Sequence, residues 1–196
     1  MSSYRRLCVF CGSSRGNRPA YEARAMELGR ELARRKIGLV YGGGNIGLMG
    51  ALADQVLVDG GEVTGVIPYG LVVREVAHAR LTKQHVVRSM HERKALMAEL
   101  SDAFVALPGG VGTFEELFEA ITWTQLGLHR KPCGLLNVSG FYDGLIAFLD
   151  RAWAEGFIKP ETRAIVTSSH DIDTLLDRLL TTEIPAVPRW ITSKDT

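Results

Sequence analysis

Apolar residues along this chain alternate between two patterns. Short unbroken apolar runs predict strands buried on both faces at residues 7–11, 37–41, 62–67, 84–87, 103–107 and 133–137. Between them, apolar positions recur at helical spacing and predict helices over residues 19–36, 45–59, 89–100, 114–128 and 141–155, with a last helix near 172–180. The punctuation agrees with this reading. Pro19 suits a first helical turn, where its missing N–H is not needed. Gly42-Gly43-Gly44 closes the second strand, Gly60-Gly61 breaks the second helix, and Pro68 stops the third strand. Ser89 and Glu92 stand at capping-box spacing. Residues 71–83 are polar, irregular and unassigned. Strands that alternate with helices predict an α/β domain, a parallel sheet wound on both faces with right-handed crossovers. In such a sheet, ligands bind beyond the carboxyl ends of the strands. Two strand–glycine–helix turns, at 41–47 and 107–113, should therefore share one rim.

Composition narrows the picture. The length of 196 residues favours one domain, read here as residues 1–183 followed by a C-terminal tail at 184–196. With 46% hydrophobic and 23% charged residues, a sizeable core is expected. The net charge of +1 gives no global basic field, so no nucleic-acid partner is expected. No apolar run reaches the ~20 residues of a membrane span, and the N-terminus reads as a first strand rather than a signal peptide. Cys8, Cys11 and Cys133 are a sparse, odd set that suggests a reducing compartment, hence the cytoplasm. Cys8 and Cys11 have C-x-x-C spacing, but Cys8 lies inside a strand pattern, where a redox pair is not expected. The five histidines show no metal spacing, so no catalytic metal is expected; no cofactor is expected either, since no acid stands where a dinucleotide ribose would need one.

The densest chemistry lies in Leu107-Pro108-Gly109-Gly110-Val111-Gly112-Thr113-Phe114-Glu115-Glu116. Glycines between a strand and a helix leave backbone N–H groups bare beside the positive end of the helix, a ready phosphate site. Thr113 is expected at the N-cap, or on a phosphate oxygen, with two carboxylates in the first helical turn. Glu116 has two readings, a capping-box partner of Thr113 or an ionised general base. Gly42-Gly43-Gly44-Asn45-Ile46-Gly47 matches G-x-G-x-x-G, but no acid ends the next strand to hold a dinucleotide ribose. A smaller phosphate-bearing or sugar ligand fits better. Ser13, on the rim after the first strand, suits either a ligand contact or a turn. Arg93 borders the apolar face of its helix near Met90 and Met97, as a surface ion-pair partner or as an arginine reaching phosphate.

These motifs resemble those of the Lonely Guy family of cytokinin riboside 5′-monophosphate phosphoribohydrolases, often labelled a lysine decarboxylase family. P-G-G-x-G-T-x-x-E is complete from Pro108 to Glu116, and M-x-x-R-K spans Met90, Arg93 and Lys94. Cys11-Gly12-Ser13-Ser14, Tyr41-Gly42-Gly43-Gly44 with Gly47-Leu48-Met49-Gly50, and Gly140-Phe141-Tyr142-Asp143 are also family-like, and the likeness runs over about residues 7–157. The resemblance implies a Rossmann-like fold, a homodimer, and hydrolysis of the N-glycosidic bond of N6-modified adenosine 5′-monophosphates. It implies Arg93 and Glu116 as the catalytic pair. Substrate contacts would fall to Ser13, Gly43, Gly44, Met90, Lys94, Met97, Pro108, Gly109, Gly110, Gly112 and Thr113. The segment His78-Ala79-Arg80-Leu81 carries Arg80 where many relatives have a small residue, which touches on base preference or the dimer contact. A non-catalytic nucleotide sensor or carrier built on the same loops is the alternative reading.

Overall fold

Leu7 and Val9 point into one apolar layer while Cys8 and Phe10 point into another, so the first strand is buried on both faces. In the computed structural model, which describes residues 6–72, 77–182 and 184, this strand is β1 (Arg6–Phe10) at the middle of a parallel sheet. The chain continues through α1 (Pro19–Arg34), β2 (Gly38–Tyr41), α2 (Gly47–Val58), β3 (Val63–Pro68) and α3 (Tyr69–Val72). It then forms β4 (Lys83–Val87), α4 (Met90–Glu99), β5 (Ala103–Ala106), α5 (Val111–Gln125) and β6 (Cys133–Leu136). A 3-10 turn (Val138–Gly140), α6 (Asp143–Ala154), α7 (Pro160–Arg163), β7 (Val166–Ser169) and α8 (Ile172–Thr181) complete it.

Among the described residues, the strand order is β4-β3-β2-β1-β5-β6-β7 with parallel pairing throughout. The order reverses beside β1, whose Cys8 sits in register with Val40 of β2 on one side and Phe104 of β5 on the other. That switch point is where a doubly wound sheet opens a crevice. Helices α1, α2 and α8 cover one face through Leu28, Leu32, Leu52, Val56, Leu175 and Leu179. Helices α4, α5 and α6 cover the other through Met97, Leu117, Ile121 and Leu149. The expected α/β class and Rossmann-like winding are thus observed.

Boundaries differ in informative places. Helix α5 begins at Val111, not 114, with Gly110 as N-cap in extended conformation. Gly112 is tolerated in the first turn because that turn's N–H groups have no intrahelical partners to lose. Strand β7 and helix α7 went unpredicted: VTSS offers only one fully buried residue, and α7 is a single turn. The stretch at 71–83 contains the end of α3, a bridge from Ala77 to Gly44, and the start of β4; residues 73–76 lie outside those described. The proposed tail, apart from Ile184, and the boundary at 183 also lie outside them.

All three cysteines are free and buried. Burial pushes the Cys11 and Cys133 thiols up, and pushes Cys8 up together with the nearby Glu116 carboxylate. Thiols held protonated are poor nucleophiles, which accords with reading C-x-x-C as packing rather than redox chemistry.

Candidate functional site

Three loops meet at the carboxyl end of β1. The Gly12 N–H donates to the Pro108 carbonyl at 3.1 Å, and Leu48 N–H donates to the Gly12 carbonyl at 3.0 Å. The approach requires glycine at two points. A β-carbon on Gly47, whose φ is +60°, would stand 2.3 Å from the backbone carbon of Ser13. One on Gly109 would stand 2.1 Å from Thr113 Oγ1 and 3.0 Å from the Gly12 nitrogen. The turns after β1, β2 and β5 therefore form one rim, as their places after parallel strands predict.

The β5 turn presents its backbone outward. The N-cap of α5, Gly110, has no side chain to cap it, and a β-carbon at Gly110 or Gly112 would meet nothing within 4 Å. Residues 110–112 are exposed at the positive end of the helix dipole, an environment suited to a phosphate-sized anion. Thr113 is not the N-cap: it is the third helical residue, 4% exposed, and buttresses Gly109. The helix starts earlier than its glycines suggest, so Glu115 and Glu116 lie in its second turn, and none of its first turn is acidic. This removes the capping-box reading of Glu116, which needs Thr113 at the N-cap. Beneath the turn, Tyr142 Oη donates to the Leu107 carbonyl at 2.6 Å, and Asn137 Oδ1 accepts the Tyr142 N–H at 2.7 Å. Sequence reading missed this support; only the family-like Gly140-Phe141-Tyr142-Asp143 segment signalled it.

Helix α4 carries Arg93 to the same rim. Ser89 caps it, accepting the Glu92 N–H at 3.1 Å, while the Glu92 carboxylate takes the Arg88 N–H at 2.7 Å, one residue beyond the expected capping-box partner. Arg93 is 6% exposed, so it is not a surface ion pair. Its Nη2 donates to the Gly42 carbonyl at 3.0 Å, its Nη1 approaches Met90 Sδ at 3.7 Å, and its Nε is buried with no hydrogen-bond partner among the described residues. A β-carbon on Gly42 would stand 1.9 Å from that Nη2, so Gly42 is a site residue that the reading of Gly43 and Gly44 passed over. Glu116 is half-buried on α5, beside Phe10, Phe104 and Trp123 in a narrow cleft between α4 and α5. Burial raises the Cys8 thiol most, the Glu116 carboxylate adds to this, and Arg93 works against it.

The remaining candidates divide. Pro108, Gly43 and Gly44 are buried in the two turns, Gly109 is half-buried, and Ser13 and the 41%-exposed Met90 border the opening. Met97 is 1% exposed and belongs to the core, so its role here is packing, as its place on the apolar helix face allows. Lys94 Nζ spans to α5, 2.5 Å from Glu115 Oε1 and 3.0 Å from Glu119 Oε1. It braces α4 against α5.

Residues 49–179 match the family described as "Possible lysine decarboxylase". A "probable cytokinin riboside 5′-monophosphate phosphoribohydrolase" of Oryza sativa subsp. japonica is 56% identical over 91% of this chain and 78% of its own length. A cytokinin riboside 5′-monophosphate phosphoribohydrolase of Arabidopsis thaliana is 52% identical over 91% of this chain and 82% of its own. The chain belongs to the Lonely Guy family. Its fold is shared more widely. The molybdenum cofactor binding protein of Rippkaea orientalis superposes with a TM-score of 0.69 at 20% identity, over 92% of this chain and 98% of that one. At that identity the likeness concerns the fold alone.

Proposed function

We propose that this chain hydrolyses the N-glycosidic bond of adenosine 5′-monophosphates, N6-modified ones foremost, releasing the free base and ribose 5-phosphate. One observation supports the reading: Arg93 is buried on the Gly42 carbonyl after β2, beside the open N-terminal turn of α5 after β5, and Glu116 lies one turn further along α5, next to Phe10 at the end of β1. The phosphate anchors on the amides around Gly110 and Gly112, remote from the reacting carbon, and its binding energy orients the sugar. As the C1′–N bond breaks, its electron pair leaves with the base and the ribose gains cationic character. Glu116 stabilises that charge and takes a proton from the water whose oxygen ends on C1′, and that proton then passes by way of solvent to the departing nitrogen of the base, leaving Glu116 ionised again. Arg93 supplies a planar fork of donors to substrate oxygens, with Gly42 holding one arm.

The decarboxylase description fits the lysines poorly. Imine chemistry needs an uncharged amine. Burial alone would lower the Lys94 ammonium, but Glu115 and Glu119 outweigh it and raise it. Burial does lower Lys131, yet its Nζ donates to the Ala98 carbonyl at 2.5 Å, at the amino ends of the strands.

Incubation with AMP and N6-isopentenyl-AMP, followed by chromatography, should yield free adenine or the modified base. Tight nucleotide binding with no base released would favour a carrier instead. The homodimer and the cytoplasmic setting implied by family likeness and by the thiols belong to the same proposal. A single solution mass near 21.5 kDa would remove the homodimer.

A further inference from the structure

A second polar cluster lies behind the Gly42–Gly44 turn, outside the pair just described. His78 is 2% exposed, a rare place for a histidine without structural duties. Both of its ring nitrogens are engaged: Nε2 lies 3.2 Å from Asp54 Oδ1, and Nδ1 accepts the Arg80 N–H at 3.2 Å. The proton therefore sits on Nε2, which donates to Asp54. Asp54 stands on α2, 43% exposed, and also takes Arg80 Nη2 at 2.7 Å. This places Arg80, the departure noted in the sequence, against α2.

The backbone of the same segment grips the turn. His78 N–H donates to the Gly43 carbonyl at 3.1 Å, and Ala77 forms an antiparallel bridge with Gly44. On its other side the turn presents the Gly42 carbonyl to Arg93 Nη2. Gly43, at φ +78°, packs against Ile67, where a β-carbon would come within 3.2 Å. The turn that seats Arg93 is thus held by a strap, and His78 on Asp54 is the peg of that strap.

We infer that His78, pegged to Asp54, is a positioning residue for Arg93, acting through the Gly42–Gly44 turn. This rests on the hydrolase reading above. Loss of the peg frees the strap, the Gly42 carbonyl shifts, and the guanidinium loses its register with the sugar. A displacement of about 1 Å costs up to about 10²-fold in rate.

The test is a cycle built on Arg93→Ala. His78→Asn removes the Nε2 end of the ring yet keeps an acceptor near the Nδ1 position. Asp54→Ala breaks the same bond from the half-exposed side and guards against a misfolded histidine variant. Asp54→Asn keeps an acceptor for His78 while discarding the charge seen by Arg80. Expected are kcat losses of about tenfold to 10²-fold for His78→Asn and Asp54→Ala, with KM for AMP nearly unchanged because the β5 turn is untouched. Asp54→Asn should stay near wild type. In the Arg93→Ala background the same substitutions should add nothing further, since residues acting through one group are not additive. Equal losses with and without Arg93, or no loss in its presence, would overturn the inference. A wild-type protein that released no base would defeat the hydrolase reading, and with it the inference that rests on it.

Discussion

Replacing Glu116 with Gln should slow base release by about 10²–10⁴-fold, the usual cost of losing a general base. The amide matches the carboxylate in shape but carries no charge and cannot accept the water's proton. It therefore fails twice, in stabilising a cationic ribose and in activating the nucleophile. The position makes this a clean substitution. Glu116 lies in the second turn of α5, past the N-terminal region where capping would complicate the result. Glutamine is nearly as good a helix former as glutamate, so the melting temperature should hold. Single-turnover base release from AMP, alongside thermal unfolding, makes the measurement. A folded Glu116→Gln protein with near-native turnover would strip Glu116 of its proposed chemistry.

Removing the 5′-phosphate from the substrate should cost as much. The phosphate is proposed to rest on bare amides at the N-terminus of α5, where Gly110 and Gly112 leave room for close approach. Hydrogen bonds to a charged group contribute about 1.5–3 kcal/mol each, so losing two lowers kcat/KM by roughly 10²–10⁴-fold. The loss should appear in kcat as well as KM, because anchoring a remote group orients the reacting bond. Comparing adenosine with AMP at matched concentrations decides it. Equal turnover of the two would sink the phosphate anchor, whatever the fate of Glu116.

Much of the architecture was legible because its causes are local. Cys8 and Phe10 on one face and Leu7 and Val9 on the other are all apolar, which signals a strand buried on both sides. The start of α5 was misread because glycines suggest loop, whereas Gly112 sits in a helical turn that needs no N–H partner. Strand β7 escaped because a short polar edge strand carries almost no periodic signal. Helical spacing left Arg93 open between a surface ion pair and an arginine reaching phosphate, since it says which face a residue borders but not what covers it. Its burial comes from the Gly42 turn, distant in sequence. The strap formed by Ala77 and His78 lay in the stretch that no periodicity organised.

Local pattern alone thus determined the alternation of strands and helices, the parallel sheet, and a glycine turn aimed at an anion, because hydrophobic period and backbone freedom are properties of neighbouring residues. The tertiary structure decided which turns face one another. Gly12, Gly47 and Gly109 bring the three turns together because β1 lies between β2 and β5, and strand order is set by burying both faces of the whole sheet at once, a condition no single segment contains.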